Sequence, residues 1–285
     1  MRCSDFDFPD PFLITADGVV VAYATNTAGS NVSCMTSPDL HRWSPVIDAL
    51  PTLPVWAGPG WTWAPSVLAR DGRWILFFTA RYQATGRQAI GVATATAPTG
   101  PFIPVGEQPL VYQSGEGGSI DPSPFVDGDG QPWLLWKSDG NAMRRPTFLW
   151  SAPLAPDGLA LAGEGKQLLG MTEPWEQPVV EGPSLSRHGL FYSAGWWESP
   201  GACIGWASAP GPRGPCHKPP TGPWLASYPG AAGPAGPCPF TGPDGVEYLA
   251  HHAWEPGRVG YQAGGRRALH VGQLVAVDGL PRFRP

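Results

Sequence analysis

Basic residues are in short supply: 18 Lys and Arg stand against 23 Asp and Glu, a net charge of −5. With no basic surplus to displace counterions from a phosphate backbone, nucleic acid is excluded as an expected partner. Long apolar runs are missing too. No stretch approaches the roughly 20 residues that cross a bilayer, and the opening MRCSDFDFPDP holds no apolar stretch, so neither a membrane span nor a secretory signal is expected. The compartment stays open between the cytoplasm and a mature secreted form. Cysteine is sparse: Cys3, Cys34, Cys203, Cys216 and Cys238 show no CxxC or CxxH spacing, against a zinc site or a dense disulfide framework. The odd count leaves at least one thiol unpaired in a monomer, and a Cys216–Cys238 bridge would close a Pro-rich loop. Helix-compatible sequence is scarce as well. The 38 Gly and 36 Pro among 285 residues exclude a helical bundle, because each inside a helix costs about 1–3 kcal/mol relative to Ala.

What is present is apolar area. Hydrophobic residues make up 42% of the chain, with 14 Trp, 11 Phe and 7 Tyr, enough to offset the entropy of ordering so Gly-rich a sequence. An internal repeat organises them. The segments DPFLITADGVVVAYATN, APSVLARDGRWILFFTA, DPSPFVDGDGQPWLLWKSD, GPSLSRHGLFYSAGW and CPFTGPDGVEYLAHHAW each run from a proline through a glycine turn into an aromatic strand. Their prolines Pro11, Pro65, Pro122, Pro183 and Pro239 lie 54, 57, 61 and 56 residues apart, and their turn glycines Gly18, Gly72, Gly130, Gly189 and Gly245 lie 54, 58, 59 and 56 apart. A sandwich would repeat its turns every 8 to 12 residues or so, with no longer period. Two landmarks sharing one long period predict an all-β, five-bladed β-propeller of four-stranded blades. One domain over 1–285 is expected, with blades starting near residues 10, 64, 121, 181 and 237.

The innermost strands of a propeller line one funnel, and three of the five blade starts carry an acid: Asp10, Asp121 and Glu181. Three acids sharing a cavity repel one another and are costly to desolvate. Glycoside hydrolysis uses such a set, one carboxylic acid protonating the leaving oxygen while a carboxylate activates water or attacks C1. The same residues would also suit a hard cation that takes oxygen ligands, or turns in which each acid accepts backbone N–H groups.

At these residues the chain resembles glycoside hydrolase family 43, the five-bladed enzymes acting mainly on arabinose- and xylose-containing polysaccharides. FPDPFL (Phe8 to Leu13) is similar to the family's first-blade motif, SIDPSPF (Ser119 to Phe125) to its third, VEGPSL (Val180 to Leu185) to its fourth and TWAPSV (Thr62 to Val67) to its second. The resemblance implies Asp10 as general base, Asp121 as the residue that tunes the acid's pKa, Glu181 as general acid, and a single displacement with inversion. It also implies an oligosaccharide or polysaccharide substrate, with exo-α-L-arabinofuranosidase as the leading activity and β-xylosidase or endo-arabinanase as alternatives. Family 32 invertase-like enzymes carry RDP and EC where this chain reads IDP and EGP. A noncatalytic sugar-binding propeller would have lost an acid, and none is missing.

Aromatic rings stack on sugar faces, so Trp63 and one of the adjacent pair Trp196 and Trp197 are candidates. Trp196 is put forward on the expectation that the pair sits on a strand and points to opposite faces. In HHAW the resemblance implies that His252, rather than His251, helps hold a water-coordinated calcium ion on the channel axis. In GGRRAL it implies that Arg267, rather than Arg266, reaches the substrate. WKSDGN (Trp136 to Asn141) matches a subset of the family without a role that spacing can assign. The chain is expected to act as a monomer.

Overall fold

The computed structural model describes residues 1–27 and 29–285 and is all-β, with four short 3-10 turns and no α-helix among the described residues. Five antiparallel sheets succeed one another along the chain. Blade one holds β1 (Phe12–Ala16), β2 (Val19–Ala24), β3 (Ser33–Ser37) and β4 (Ile47–Asp48); blade two holds β5 (Ala57–Arg70), β6 (Arg73–Tyr82), β7 (Arg87–Ala95) and β8 (Ile103–Val105). Blade three comprises β9 (Ser119–Val126), β10 (Pro132–Ser138), β11 (Phe148–Pro153) and β12 (Lys166–Gly170). Blade four has β13 (Val180–Ser186), β14 (Gly189–Ala194) and β15 (Cys203–Ala207), and blade five has β16 (Ala232–Thr241), β17 (Glu247–Trp254), β18 (Arg267–Val277) and β19 (Leu280–Arg284). The five-bladed propeller expected from the repeat is the fold.

Blade four departs from the expected four strands. Where a fourth strand would lie, the chain is rich in proline, which cannot donate to a ladder, and among the described residues its backbone pairs with the β15 edge through an Ile204–Leu225 bridge and, just beyond β15, a Ser208–His217 bridge. The proline-rich stretch from Pro210 to Pro239 also contains the start of β16.

Hydrophobic runs such as WILFF and WLLW are continuous because each sheet is covered on both faces. On β6, Leu76 and Phe78 pack toward blade one while Ile75 and Phe77 pack toward blade three, the period-two alternation of a strand. Further apolar clusters fill the junctions of blades three and four, four and five, and five and one. The last junction is also stitched by the N-terminal segment, whose Cys3 and Phe8 N–H groups donate to the carbonyls of Leu269 and Arg267.

All five cysteines are free. The Cys216–Cys238 bridge does not form because the two thiols belong to different junctions, Cys238 between blades five and one and Cys216 between blades three and four.

Each inner strand bends at one repeated place. The residue before a proline has positive φ in every blade: Asp10 (52°), Ala64 (43°), Asp121 (56°), Gly182 (56°) and Gly236 (66°). In blades two to five the ladder slips there by one residue, as at a β-bulge, which re-aims neighbouring side chains. This landmark corrects the fifth repeat from Cys238–Pro239 to Gly236–Pro237. A Cβ on Gly236 would lie 2.9 Å from His252 Nδ1 and 3.3 Å from Asp10 Cα, so the close approach of blades five and one requires glycine. In blade four the bent residue is Gly182, and Glu181 stands one position earlier than the Asp10 and Asp121 equivalents.

Candidate active site

The five bends surround a cavity of about 470 Å³ whose wall includes Asp10, Asp121 and Glu181. Asp10 and Asp121 hold a backbone conformation that non-glycine residues adopt at a cost of about 1–3 kcal/mol, and Asp tolerates it better than most. That bend is what turns each carboxylate inward.

Asp10 is held from three sides. The Thr25 hydroxyl donates to its Oδ2 at 2.6 Å, Arg267 Nη1 donates to Oδ1 at 3.4 Å, and its own N–H donates to His252 Nδ1 at 2.9 Å. Burial alone would raise its pKa, but the Arg267 guanidinium and the Thr25 hydroxyl hold the carboxyl below its usual range. Asp10 is therefore an anion at neutral pH.

Asp121 is the opposite case. Its Oδ2 accepts the Gly182 N–H at 2.8 Å and its own N–H donates to Thr79 Oγ1 at 3.1 Å. Burial first, and the neighbouring Glu181 carboxylate second, push its pKa up to about 8. Two carboxyls side by side thus keep a proton in the neutral range. Glu181 Oε2 accepts from Lys137 Nζ at 3.2 Å, and Asp139 Oδ1 lies 3.5 Å from the same ammonium.

Arg267 joins the polar and aromatic walls. Its Nε and Nη2 donate to the Tyr261 hydroxyl at 3.1 and 3.0 Å, and its guanidinium lies 5.0 Å from the Trp197 ring centre. It lines the cavity beside Asp10, whereas Arg266 is exposed and donates to the Asp5 carbonyl. Trp63, on β5, also lines the cavity. Trp196 does not line the cavity; Trp197 does. The pair follows the end of β14, in a turn instead of a strand, so the expected alternation does not operate and Trp196 is left 46% exposed.

His252 sits at the cavity wall and His251 is buried elsewhere, against His270 and Tyr228. Because His252 Nδ1 accepts the Asp10 N–H, its proton is on Nε2, a buried atom with no hydrogen-bond partner. A nitrogen that carries a hydrogen has no lone pair for a metal, and no cluster of three or more metal-ligating side chains occurs among the described residues. These residues do not fit direct ligation of a calcium ion by His252; they fit a polar group, or a water held by such an ion, that accepts from Nε2–H.

The family model described as "Glycosyl hydrolases family 43" matches residues 4–274. The chain belongs to glycoside hydrolase family 43. It is 33% identical to "Xylosidase/arabinosidase 43A" of Humicola insolens over 127 residues, covering 42% of this chain and 37% of that protein. It is 27% identical to "Probable arabinan endo-1,5-alpha-L-arabinosidase B" of Aspergillus fumigatus, covering 71% of this chain and 60% of that one. The chain thus spans less than two thirds of the length of either. The crystal structure of a thermostable family-43 glycoside hydrolase superposes with a TM-score of 0.87 at 24% identity, covering 100% of this chain and 96% of the other.

Several members of this family 43 site escape sequence reasoning. Lys137 lies in the wholly buried strand PWLLWKS, and a lone lysine in such a run is the signal that WKSDGN carried. Tyr261 comes from a 3-10 turn, Tyr261–Ala263, and nothing in its neighbourhood marks it.

Proposed function

We propose that this family 43 protein is an inverting glycosidase that removes terminal α-L-arabinofuranosyl units from arabinose- or xylose-containing oligosaccharides. The observation that carries this reading is the contrast between two buried carboxyls in one cavity, Asp10 held as an anion and Asp121 holding a proton beside Glu181. Asp10 takes a proton from water, whose oxygen bonds to C1. The bond from C1 to the leaving oxygen breaks with its electron pair, and Glu181 gives that oxygen a proton. Asp121 supports Glu181 by the charge and proton it shares with it. Trp63 and Trp197 offer ring faces to the sugar, and Arg267 orients Asp10 and reaches the bound unit. The names of both relatives point to arabinose-containing substrates.

The test is a screen with aryl α-L-arabinofuranoside, β-xyloside and β-galactoside together with linear arabinan, followed by proton NMR of the first products. The arabinofuranoside is expected to be the best substrate, with the inverted anomer appearing first. The retained anomer first, or transfer to methanol, would overturn the mechanism; faster release of oligomers from arabinan would overturn the exo assignment.

A further inference from the structure

Four of the five blade junctions share one hydrogen bond, and the fifth breaks the rule. In those four the bent pre-proline residue of one blade offers its N–H to a side chain on, or just beyond, the second strand of the blade before. Asp10 donates to His252 Nδ1 at 2.9 Å, Ala64 to Thr25 Oγ1 at 2.9 Å, Asp121 to Thr79 Oγ1 at 3.1 Å and Gly236 to Ser193 Oγ at 2.8 Å. The acceptors occupy one ladder position, since Thr79, Ser193 and His252 pair with Trp63, Glu181 and Ala235, the residues just before the bends. In blade three that position, opposite Ile120, is Lys137. An ammonium has three donors and no acceptor. The Gly182 N–H goes instead to Asp121 Oδ2.

We infer that Lys137 is the positioning residue of the acid pair: by refusing the Gly182 N–H it commits Asp121 to that bond, and by pairing with Glu181 it receives the charge that Glu181 acquires on giving up its proton. This rests on Glu181 acting as the acid. The Lys137 side chain is 1% exposed, so its charge needs a permanent partner. Asp139, itself 9% exposed and 3.5 Å from the ammonium, supplies one. With Asp139 present, Glu181 is free to carry a proton without stranding the lysine. Once the proton has passed to the leaving oxygen, the new carboxylate meets the ammonium at 3.2 Å. The charged groups around Glu181 are Asp121 of β9, Lys137 of β10 and Asp139 just beyond β10, with Asp10 acting on Asp121 and Arg87 of β7 on Asp139.

The test compares pH profiles of kcat/KM for the wild type, Lys137→Met and Asp139→Asn, on aryl glycosides of graded leaving-group acidity that the wild type cleaves. Removing the cation should move the alkaline limb of Lys137→Met upward by about one to three pH units. Removing the anion should move that of Asp139→Asn downward. Lys137→Met should also lose about 10- to 100-fold more on the poorest leaving group than on the best. Opposite displacements on removing opposite charges are what positioning by charge requires and what a packing defect does not produce. Limbs that stay in place, or move the same way in both variants, overturn the inference. Should Lys137→Met not fold, the direction of the Asp139→Asn limb decides alone. Glu181→Gln, run alongside, keeps the two readings apart. Equal loss on all leaving groups removes the acid assignment and this inference with it; selective loss on poor leaving groups, with the other two limbs unmoved, removes this inference only.

Discussion

The backbone N–H of Asp10 donates to His252 Nδ1 at 2.9 Å, so one bond closes the ring of blades and fixes the direction of a carboxylate that lines the cavity. Burial keeps the imidazole neutral, its pKa pushed down to about 3, and only a neutral ring can accept there. His252→Phe keeps the bulk and removes the acceptor. It is expected to cost about 1–3 kcal/mol, the penalty of an unsatisfied buried N–H, read as a lower Tm. His252→Gln, whose amide oxygen can accept, should recover part of the loss. An unchanged melting curve for His252→Phe would mean that the N–H finds another partner.

The same bond bears on calcium. With the His252 proton on Nε2, a calcium ion on the channel axis would be reached through a water that accepts from that N–H; such an ion should appear stoichiometrically in protein purified without chelator, and calcium added after chelation should raise Tm. No stoichiometric metal and no shift in Tm would leave His252 as a structural residue that accepts the Asp10 N–H.

The period of the fold was legible because it is carried by backbone-restricting residues, Pro and Gly, at places where every blade needs the same bend. The acids were legible for the same reason: Asp10 and Asp121 stand at that bend, beside Pro11 and Pro122, and Glu181 stands next to it. The fifth repeat misled by two residues, since Gly236–Pro237 and Cys238–Pro239 both fit a proline rule and only the positive φ of Gly236 separates them. Residues delivered from other elements were hidden. Tyr261 reaches Arg267 from a short turn, and Trp197 replaces Trp196 because a strand ends at Ala194; sequence periodicity carries neither fact. Lys137 and Asp139 were visible as charges in a buried segment, but what they touch depends on how blades three and four meet.

Separate roles for Asp10 and Glu181 predict different losses. Glu181→Gln should lower turnover on poor leaving groups by about 10²- to 10⁴-fold and far less on an aryl glycoside that departs without protonation. Asp10→Asn should damage both substrates alike, because water still has to be activated, and azide should restore part of the rate by attacking C1 from the vacated side. Steady-state kinetics on the two substrate types checks both. Equal losses for Glu181→Gln on activated and unactivated substrates would sink its assignment.

Asp121 carries a stability cost that its variant should release. Its folded pKa of about 8 stands above the model carboxyl value of 3.8. The folded state therefore binds this proton more tightly than the unfolded chain, and the associated stability is full below the unfolded pKa and lost as pH rises through the folded one. Asn stays neutral at every pH, and its side-chain oxygen can still accept the Gly182 N–H. Relative to the wild type, Asp121→Asn should gain Tm as pH rises from 5 to 8, about 2–4 °C for each kcal/mol recovered if the chain behaves like somewhat smaller domains. The same substitution removes the carboxyl with which Glu181 shares a proton and, above the Asp121 pKa, its negative charge, so the proton of the acid should leave more readily. The alkaline limb of the activity profile should then move to lower pH, together with a loss of rate. Melting curves and kcat/KM profiles at matched pH values read the two effects independently. A variant that is less stable than the wild type at pH 8 would show that the Asp121 carboxyl bears no burial cost. A limb that does not move would show that its charge is not felt by the acid.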